Sequence, residues 1–342
     1  MPIPTPRGGH PYVRFDPLLE PEEADAMVDL CERLGSYKMY SEEPVHAGFG
    51  EGLPARYDAA LNFVKTGGRF ARQEPPHLLA ARTNYFRESY AYGEEVRAPG
   101  VEPFLHHEGF IEAARRLHGR PIVEPAIVYA NLLLPGQELA LHTDVPEFRG
   151  ASRTKLPQWL LVAMHHSGLF DAWRMPIATG IAYFHDCQGG HLALYPEGPD
   201  GGPRTIAALH NTAVLLDTDS VFHGVDRVFQ PLPEFPPLRP GMRLCFEGRG
   251  RWTVRNGAEA VAAYDWKDLR FSVSWKAYCF RDEAELRTWR AHVDDLTLPA
   301  ILDRLVDDLR GRGRIGAGRP DDRELALAIV SEYIHFPPPA SH

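Results

Sequence analysis

Between residues 122 and 280 the sequence consists of short runs rich in Val, Ile, Leu, Tyr and Phe, and Gly or Pro turns separate these runs. No helical pattern alternates with them, which argues against a parallel sheet built from βαβ units. The pattern instead predicts an antiparallel sandwich or barrel. The predicted strands are 122–134, 158–166, 180–187, 191–195, 205–209, 213–217, 221–228, 243–246, 252–254 and 270–280.

Helical patterns lie on both sides of this region. The clearest begins at Pro21, which suits the first position of a helix, and ends before Gly35. The sequence therefore predicts a mainly β fold with flanking helices, an α+β arrangement. We expect one domain over 1–281, with a helical support in 1–120 and the β core in 122–280. A C-terminal helical extension over 282–342 would pack on the core or form a homodimer contact. The predicted helices are 21–34, 77–92, 108–117, 282–294, 299–309 and 321–334.

Composition narrows the classes of function. Of the 342 residues, 44% are hydrophobic, which is enough to bury a sizeable core. A net charge of -9 argues against sequence-independent nucleic-acid binding, which needs a basic face. The four cysteines form no CxxC pair, and reduced thiols in a cytoplasmic protein are expected. No apolar leader or membrane-length run is present, so we expect no membrane partner.

One short motif points to a metal. His142 and Asp144 are two residues apart, so both side chains would reach the same face of a strand. His223, in another apolar run, is the best third ligand. Two imidazoles and one carboxylate form the facial triad of non-haem Fe(II) oxygenases, which leaves three coordination positions open. By itself the HxD pair is a weak signal, because the chain contains 16 histidines.

The surroundings of the motif strengthen it. The stretch from Tyr129 to Val228 resembles the double-stranded β-helix core, a jelly-roll or cupin-like fold, of the Fe(II)/2-oxoglutarate oxygenase superfamily. The resemblance is carried by three segments in the order typical of that family. These are Asn131 to Asp144 with its Pro135-Gly136 turn, the Gly189-Gly190-His191-Leu192 hairpin, and the run from Asn211 to His223.

The resemblance implies Fe(II), 2-oxoglutarate and O2 as cofactor and co-substrates. In the family a basic residue on a later strand binds the distal carboxylate of 2-oxoglutarate, and Arg270 with Ser272 is similar to its Arg-x-Ser strand. Arg270 lies 47 residues after His223 (270 − 223), so an insertion over 229–268 would loop out between the strands. Arg243 and Arg227 are therefore alternative anchors. Asn131 matches a position that hydrogen-bonds the co-substrate in the related alkylation-repair demethylases.

The resulting prediction is an enzyme that hydroxylates an unactivated C–H bond of a small molecule, of amino-acid or secondary-metabolite type, and releases succinate and CO2. Asp144 fills the position that family halogenases leave free for a halide, which favours hydroxylation, desaturation or demethylation. Three alternatives stay open. They are a cupin-type metalloenzyme that does not use 2-oxoglutarate, although its HxH-plus-Glu cluster is missing; an oxygenase acting on a protein side chain; and a non-enzymatic β-sandwich binding module.

Each site residue also has a structural interpretation. His142 fits a surface turn after the Pro135-Gly136 pair, and His223 fits a buried, hydrogen-bonded histidine. Arg270 fits an ion-pair partner, and Asn131 a strand-end amide. Among the other histidines, His165, His166, His185 and His191 are predicted to be pocket or core residues rather than ligands.

Overall fold

Two main antiparallel β-sheets, a short two-stranded sheet and a set of flanking helices make up the computed structural model, which describes residues 12–40, 48–72, 74–230 and 235–339. The helices are α1 (Pro21–Leu34), α2 (Tyr57–Thr66), α3 (Pro76–Thr83), α4 (Glu102–Leu105), α5 (Glu108–His118), α6 (Gln158–Ser167), α7 (Glu283–Arg290), α8 (Leu298–Gly311) and α9 (Asp322–Tyr333).

The strands follow the chain between and around these helices. They are β1 (Tyr12–Phe15), β2 (Ser36–Met39), β3 (Phe86–Tyr92), β4 (Glu95–Val96), β5 (Ile122–Leu133), β6 (Leu139–His142), β7 (Glu147–Phe148), β8 (Arg174–Met175), β9 (Ile177–Tyr183), β10 (Leu192–Tyr195), β11 (Arg204–Ile206), β12 (Thr212–Leu216), β13 (Phe222–Val225), β14 (Arg243–Gly248), β15 (Arg251–Asn256), β16 (Glu259–Asp265) and β17 (Arg270–Phe280).

The chain alternates between the two sheets. The large sheet has the order β1-β12-β9-β17-β5-β3-β2-β14-β15-β16, with β4 paired to β3, and the small sheet has the order β11-β10-β13-β6. Successive core strands therefore fall in the large sheet (β5), the small (β6), the large (β9), the small (β10 and β11), the large (β12), the small (β13) and the large (β17). This antiparallel winding is the jelly-roll arrangement, and the predicted fold class is confirmed.

Side chains from the two sheets meet in a shared apolar layer. Ile181 of β9 and Val214 of β12 pack in one buried cluster with Leu192 and Leu194 of β10. Residues two apart on a strand point to the same side, so each of these strands offers one face to this layer. The opposite face of the large sheet is covered by α1 and α5.

The central strand β17 shows the alternation clearly. It pairs with β9 along one edge and with β5 along the other, over almost its whole length. Phe271, Val273 and Trp275 join the core beneath the helices, and the Trp275 indole N–H donates to the Leu105 carbonyl at 2.7 Å. The intervening polar residues point into the space between the sheets, which makes β17 the strand that organises the site.

Two predicted elements were wrong. The segment 158–166, predicted as a strand, is the helix α6, and residues Gln158 to His165 are all buried. Because α8 and α9 cover its outer side, this helix has no polar stripe and its period cannot be recognised from the sequence. The predicted helix 77–92 is α3 followed by the strand β3, with the break at Asn84.

The insertion between His223 and Arg270 also differs from the expectation. It was predicted to loop out, and its residues 231–234 lie outside the described part of the chain. The strands β14, β15 and β16 instead form an antiparallel extension that joins the large sheet through β2. The insertion therefore lengthens the sheet away from the site.

The C-terminal helices share a core with α6. Leu305 and Leu309 of α8 and Ile329 of α9 lie in one buried cluster with Trp159 of α6. The amphipathic spacing that predicted helices in this region thus serves contacts within the chain. Among the described residues, no helix combines the length and apolar character needed to cross a membrane.

Candidate metal centre

Pairing of two short strands in the small sheet creates the centre. Strands β6 and β13 are antiparallel, and His142 lies directly opposite His223. Just beyond the end of β6, the Asp144 backbone N–H donates to the Thr218 carbonyl at 2.8 Å, which fixes the direction of its side chain. One ligand atom from each of the three residues lies within 4.8 Å of the others. The structure therefore brings together the three residues that the sequence selected.

The ring orientations suit a metal. Nδ1 of His142 lies 2.7 Å from the Ala140 carbonyl, and Nδ1 of His223 lies 2.9 Å from the Val221 carbonyl. Only a protonated Nδ1 can donate to a carbonyl, so each Nε2 carries a lone pair. The Nε2 atoms of His142 and His223 are 3.5 and 3.7 Å from Oδ1 of Asp144. Three donor atoms thus surround one point.

Electrostatics sets the protonation states. Burial, reinforced by the neighbouring His142, lowers the pKa of His223 to about 3. Burial alone would raise the pKa of Asp144, but the Lys276 ammonium and a hydrogen bond with His142 hold it well below its usual range. At neutral pH the site therefore offers a neutral imidazole and an ionised carboxylate, the forms in which these groups bind metals.

Lys276 is a site residue that the sequence analysis missed. Its Nζ donates to Oδ2 of Asp144 at 2.6 Å and to Oγ1 of Thr179 at 2.9 Å, and only 2% of Lys276 is exposed. A signal was present: Lys276 is six residues after Arg270 on the same strand, so the two side chains share a face. A lysine on a strand whose side chain points into the protein interior needs an acidic partner to compensate its charge.

A cavity of ≈ 60 Å³ lies between the two sheets beside the three residues. At roughly 10–15 Å³ per water, it has room for about four to six water molecules, the size of a small organic acid. Both sheets contribute to its walls. Its lining includes Tyr129, Asn131, His142, Asp144, Thr179, Leu192, His223, Arg270, Ser272 and Ser274.

Arg270 is the cationic residue in this lining. Its Nε donates to the Gly190 carbonyl at 2.7 Å, its Nη1 donates to Ser272 Oγ at 3.0 Å, and its guanidinium lies 5.2 Å from the centre of the Tyr183 ring. It is 2% exposed, yet no carboxylate of the described residues lies within 4.0 Å of it. A buried cation of this kind is stabilised by an anionic ligand.

The remaining predicted residues fall into two groups. Asn131 lies opposite Ser272 across the β5–β17 pair, and its buried Oδ1 has no hydrogen-bond partner. The alternative anchors have carboxylate partners elsewhere: Arg243 pairs with Glu88, and Arg227 pairs with Glu74 and Glu138. Neither of these arginines lines the cavity.

His165, His166 and His185 do not belong to the cluster of three potential ligands. His165 and His166 lie on α6, not on a strand, and contact Ser220 and Thr143 through Nε2 at 3.1 and 3.3 Å. His185, considered as a wall of the metal cavity, instead lies 5.2 Å from the Trp266 ring in a separate surface groove.

Comparisons with known proteins give a likeness in architecture. No family model and no curated protein matches the sequence. Similar solved structures include a Pseudomonas putida prolyl-4-hydroxylase (12% identity, TM-score 0.38, 80% of this chain and 94% of that chain). Another is a 2OG-Fe(II) oxygenase family oxidoreductase from Burkholderia pseudomallei (12%, 0.40, 79% and 88%). A third is HygX from Streptomyces hygroscopicus with nickel, 2-oxoglutarate and hygromycin B bound (10%, 0.39, 79% and 83%).

Each of these TM-scores is below 0.5, and the functional conclusion rests on the geometry of the site itself. That geometry defines a class: a jelly roll with two histidines and one carboxylate around a point beside an internal cavity.

Proposed function

We propose that the protein is an Fe(II)- and 2-oxoglutarate-dependent oxygenase that hydroxylates a C–H bond of a small molecule. One observation carries the proposal: the three potential metal ligands and a buried arginine without a carboxylate partner line the same cavity. A site for metal alone would not need Arg270. A site for metal and a dicarboxylate needs both parts.

The three donor residues fit ferrous iron. Two histidine Nε2 atoms and one carboxylate oxygen match the facial triad, and the cavity lies on the side where further ligands would bind. Hydrogen bonds from each Nδ1 to a backbone carbonyl hold the rings of His142 and His223 in place. Lys276 holds the Asp144 carboxylate from behind, so Oδ1 is directed to the centre. Bound together there, iron and 2-oxoglutarate supply O2 activation and oxidation of a C–H bond, with succinate and CO2 as co-products.

Arg270 and its neighbours fit the distal carboxylate of 2-oxoglutarate. A guanidinium offers parallel N–H donors that match a carboxylate, and Ser272 adds a hydroxyl on the same strand face. Two of the arginine donors are already used by Gly190 and Ser272, which fixes the orientation of the guanidinium. Asn131 lies beside them, and its side-chain amide N–H group offers donors to the ligand.

Because the cavity is small, we expect only a small group of the substrate to enter it. The cupin alternative lacks support, because it leaves Arg270 buried without an anionic partner. Hydroxylation remains favoured over halogenation because Asp144 occupies the position that a halide would take.

Anaerobic titration of the metal-free protein with Fe(II) and 2-oxoglutarate tests the proposal. We expect a weak visible charge-transfer band, which reports chelation of iron by 2-oxoglutarate. His142→Ala should abolish the band. Arg270→Gln should raise the 2-oxoglutarate concentration needed for half its amplitude by about tenfold or more, since a charge-assisted pair is lost. Arg243→Gln is the matched control and should leave the titration unchanged.

Two results would contradict the proposal. If iron binds in wild type and no band forms with 2-oxoglutarate, the site is that of a different metalloenzyme. If no iron binds at all, the cluster is structural. A titration shifted by Arg243→Gln and not by Arg270→Gln would move the anchor to Arg243.

A further inference from the structure

A second cation near the metal centre lacks a carboxylate partner. Arg153 lies in the turn between β7 and α6, and its Nη2 is 3.5 Å from the Val145 carbonyl. Its Nε is buried and has no hydrogen-bond partner. Among the described residues no carboxylate lies within 4.0 Å of this guanidinium. Burial opposes its charge, and the field of Glu147 more than compensates, so the pKa of Arg153 is raised.

Aromatic rings surround a neighbouring cation, Arg87. The Arg87 guanidinium lies 3.7 Å from the centre of the Tyr129 ring and 5.3 Å from that of Tyr40, and Tyr40 stacks on Tyr85 at 5.1 Å. Tyr85 and Tyr129 also line the metal cavity. Arg153 is close enough to Arg87 for their positive charges to repel each other. The tyrosines of this wall therefore lie next to guanidinium groups just outside the cavity.

The strand β17 shows where this wall lies relative to the co-substrate anchor. Arg270 is at the start of the strand, Lys276 touches the metal ligand Asp144, and Tyr278 donates to Glu147 at 2.9 Å. The positive charge of Arg153 interacts with the charges of Lys276 and Glu147. Both of these residues are at the end of β17 that is remote from Arg270. At about 3.3 Å per residue, Arg270 and Lys276 are roughly 20 Å apart along the strand. Arg153 is therefore at the metal end of β17, and Arg270 is at the other end.

We propose that Arg153 binds an anionic group, a carboxylate or a phosphate, of the organic substrate, while the tyrosine rings pack against its apolar part. This inference rests on the proposed function, because it assigns the substrate class of the same site. The position is suitable: the ligand would enter from the side opposite the 2-oxoglutarate anchor and present a C–H bond to the metal. The buried Nε of Arg153 has no hydrogen-bond partner, and an anionic ligand would supply one.

Ligand binding to the Zn(II)-loaded full-length protein, saturated with 2-oxoglutarate, tests the inference. The probes are 4-fluorophenylacetate, 4-fluorophenyl phosphate and the uncharged 4-fluorophenylacetamide, followed by fluorine NMR. We expect one of the anions to bind about tenfold or more tightly than the amide, the size of one charge-assisted contact. The anion that binds more tightly identifies the group. Arg153→Gln should reduce its affinity to that of the amide, and Arg153→Lys should retain part of it.

Lys155→Gln is the matched control, since it removes an equal charge two residues away on an exposed side chain. It should leave anion binding unchanged. The inference is overturned if neither anion binds more tightly than the amide, if Arg153→Gln has no effect, or if bound anion is displaced by 2-oxoglutarate and so occupies the Arg270 end. The charge-transfer band tests the proposed function independently of the NMR experiment. Arg153→Gln should leave the band intact. Absence of the band in wild type would contradict the proposed function, whatever the NMR affinities show.

Discussion

The contact between Lys276 and Asp144 gives the sharpest prediction. Nζ and Oδ2 are 2.6 Å apart, and Lys276 is 2% exposed. In the metal-free protein this ammonium is the main cation that compensates the Asp144 carboxylate. A bound metal would compensate the same carboxylate. Lys276→Met keeps the side-chain length and removes the charge, so its effect should depend on whether metal is present.

The magnitude follows from the geometry. At an effective dielectric constant of about 20, two unit charges 2.6 Å apart attract by roughly 6 kcal/mol, and the desolvation of both groups offsets part of this attraction. Breaking a buried pair by removal of one partner costs about 3–5 kcal/mol. We therefore expect Lys276→Met to lower the free energy of unfolding of the metal-free protein by about 3–5 kcal/mol. The metal-loaded protein should lose about 2 kcal/mol less, which makes metal binding roughly thirtyfold tighter in the variant.

Urea unfolding at pH 7, with Zn(II) or with a chelator, measures both losses, and competition with a chromophoric chelator measures metal affinity directly. Ser274→Ala is the control, because Ser274 is the preceding residue on the same face of β17 and carries no charge. Equal losses with and without metal, together with unchanged metal affinity, would refute the reasoning. Lys276 would then be a structural residue with no particular connection to the metal centre.

Three further predictions concern the anchor, a buried acid and the helix α6. Gly190→Ala places a methyl group 2.8 Å from Cδ of Arg270 at a φ of +58°, so it should weaken 2-oxoglutarate binding in the same titration; an unchanged half-point would contradict this. Burial, then repulsion from Asp217, raises the pKa of Asp219 to about 7. Between about pH 4 and about pH 7 this carboxyl is ionised in the unfolded chain but still protonated in the folded protein, so the stability of wild type falls as pH rises, and Asp219→Asn should gain on wild type by about 2–4 kcal/mol over that range in urea unfolding. A difference in stability between Asp219→Asn and wild type that does not change with pH would contradict this expectation. Trp159→Ala should lower the free energy of unfolding by about 3–5 kcal/mol in urea unfolding, and Trp159→Phe should lower it clearly less. Equal losses in the two variants would show that packing around Trp159 is loose.

The parts of the site that follow from strand periodicity were predictable. His142 and Asp144 share a face because they are two residues apart near a strand end, and Arg270 and Ser272 share a face for the same reason. The pairing of β6 with β13, which brings His223 opposite His142, depends on contacts distant in sequence. The order of the sequence motifs supplied that step, since no local pattern specifies which strands become neighbours.

The wrong predictions have physical causes. Helix α6 is buried on every side between the small sheet and the C-terminal helices, so neither a period of 3.6 nor one of 2 is visible in its apolar run. Propensity alone cannot place the boundary at Asn84, where a helix gives way to β3. The sequence did not reveal the partner of Lys276, because Asp144 is 132 residues away along the chain (276 − 144).

The position of β17 fixes the spacing of the residues on that strand, whereas the turns outside the sheets can change in sequence. Arg270 and Lys276 are on a strand that is hydrogen-bonded along both edges, so their spacing is set by the backbone of the most enclosed element of the sheet. Arg153 lies in a turn outside both sheets. Under the proposed roles of these residues, substitutions around that turn would alter which molecules bind while the spacing of Arg270 and Lys276 stays the same. If the proposed function is correct, a scaffold organised in this way can acquire new substrates, in evolution or in the laboratory, without change to the residues that would bind iron and 2-oxoglutarate.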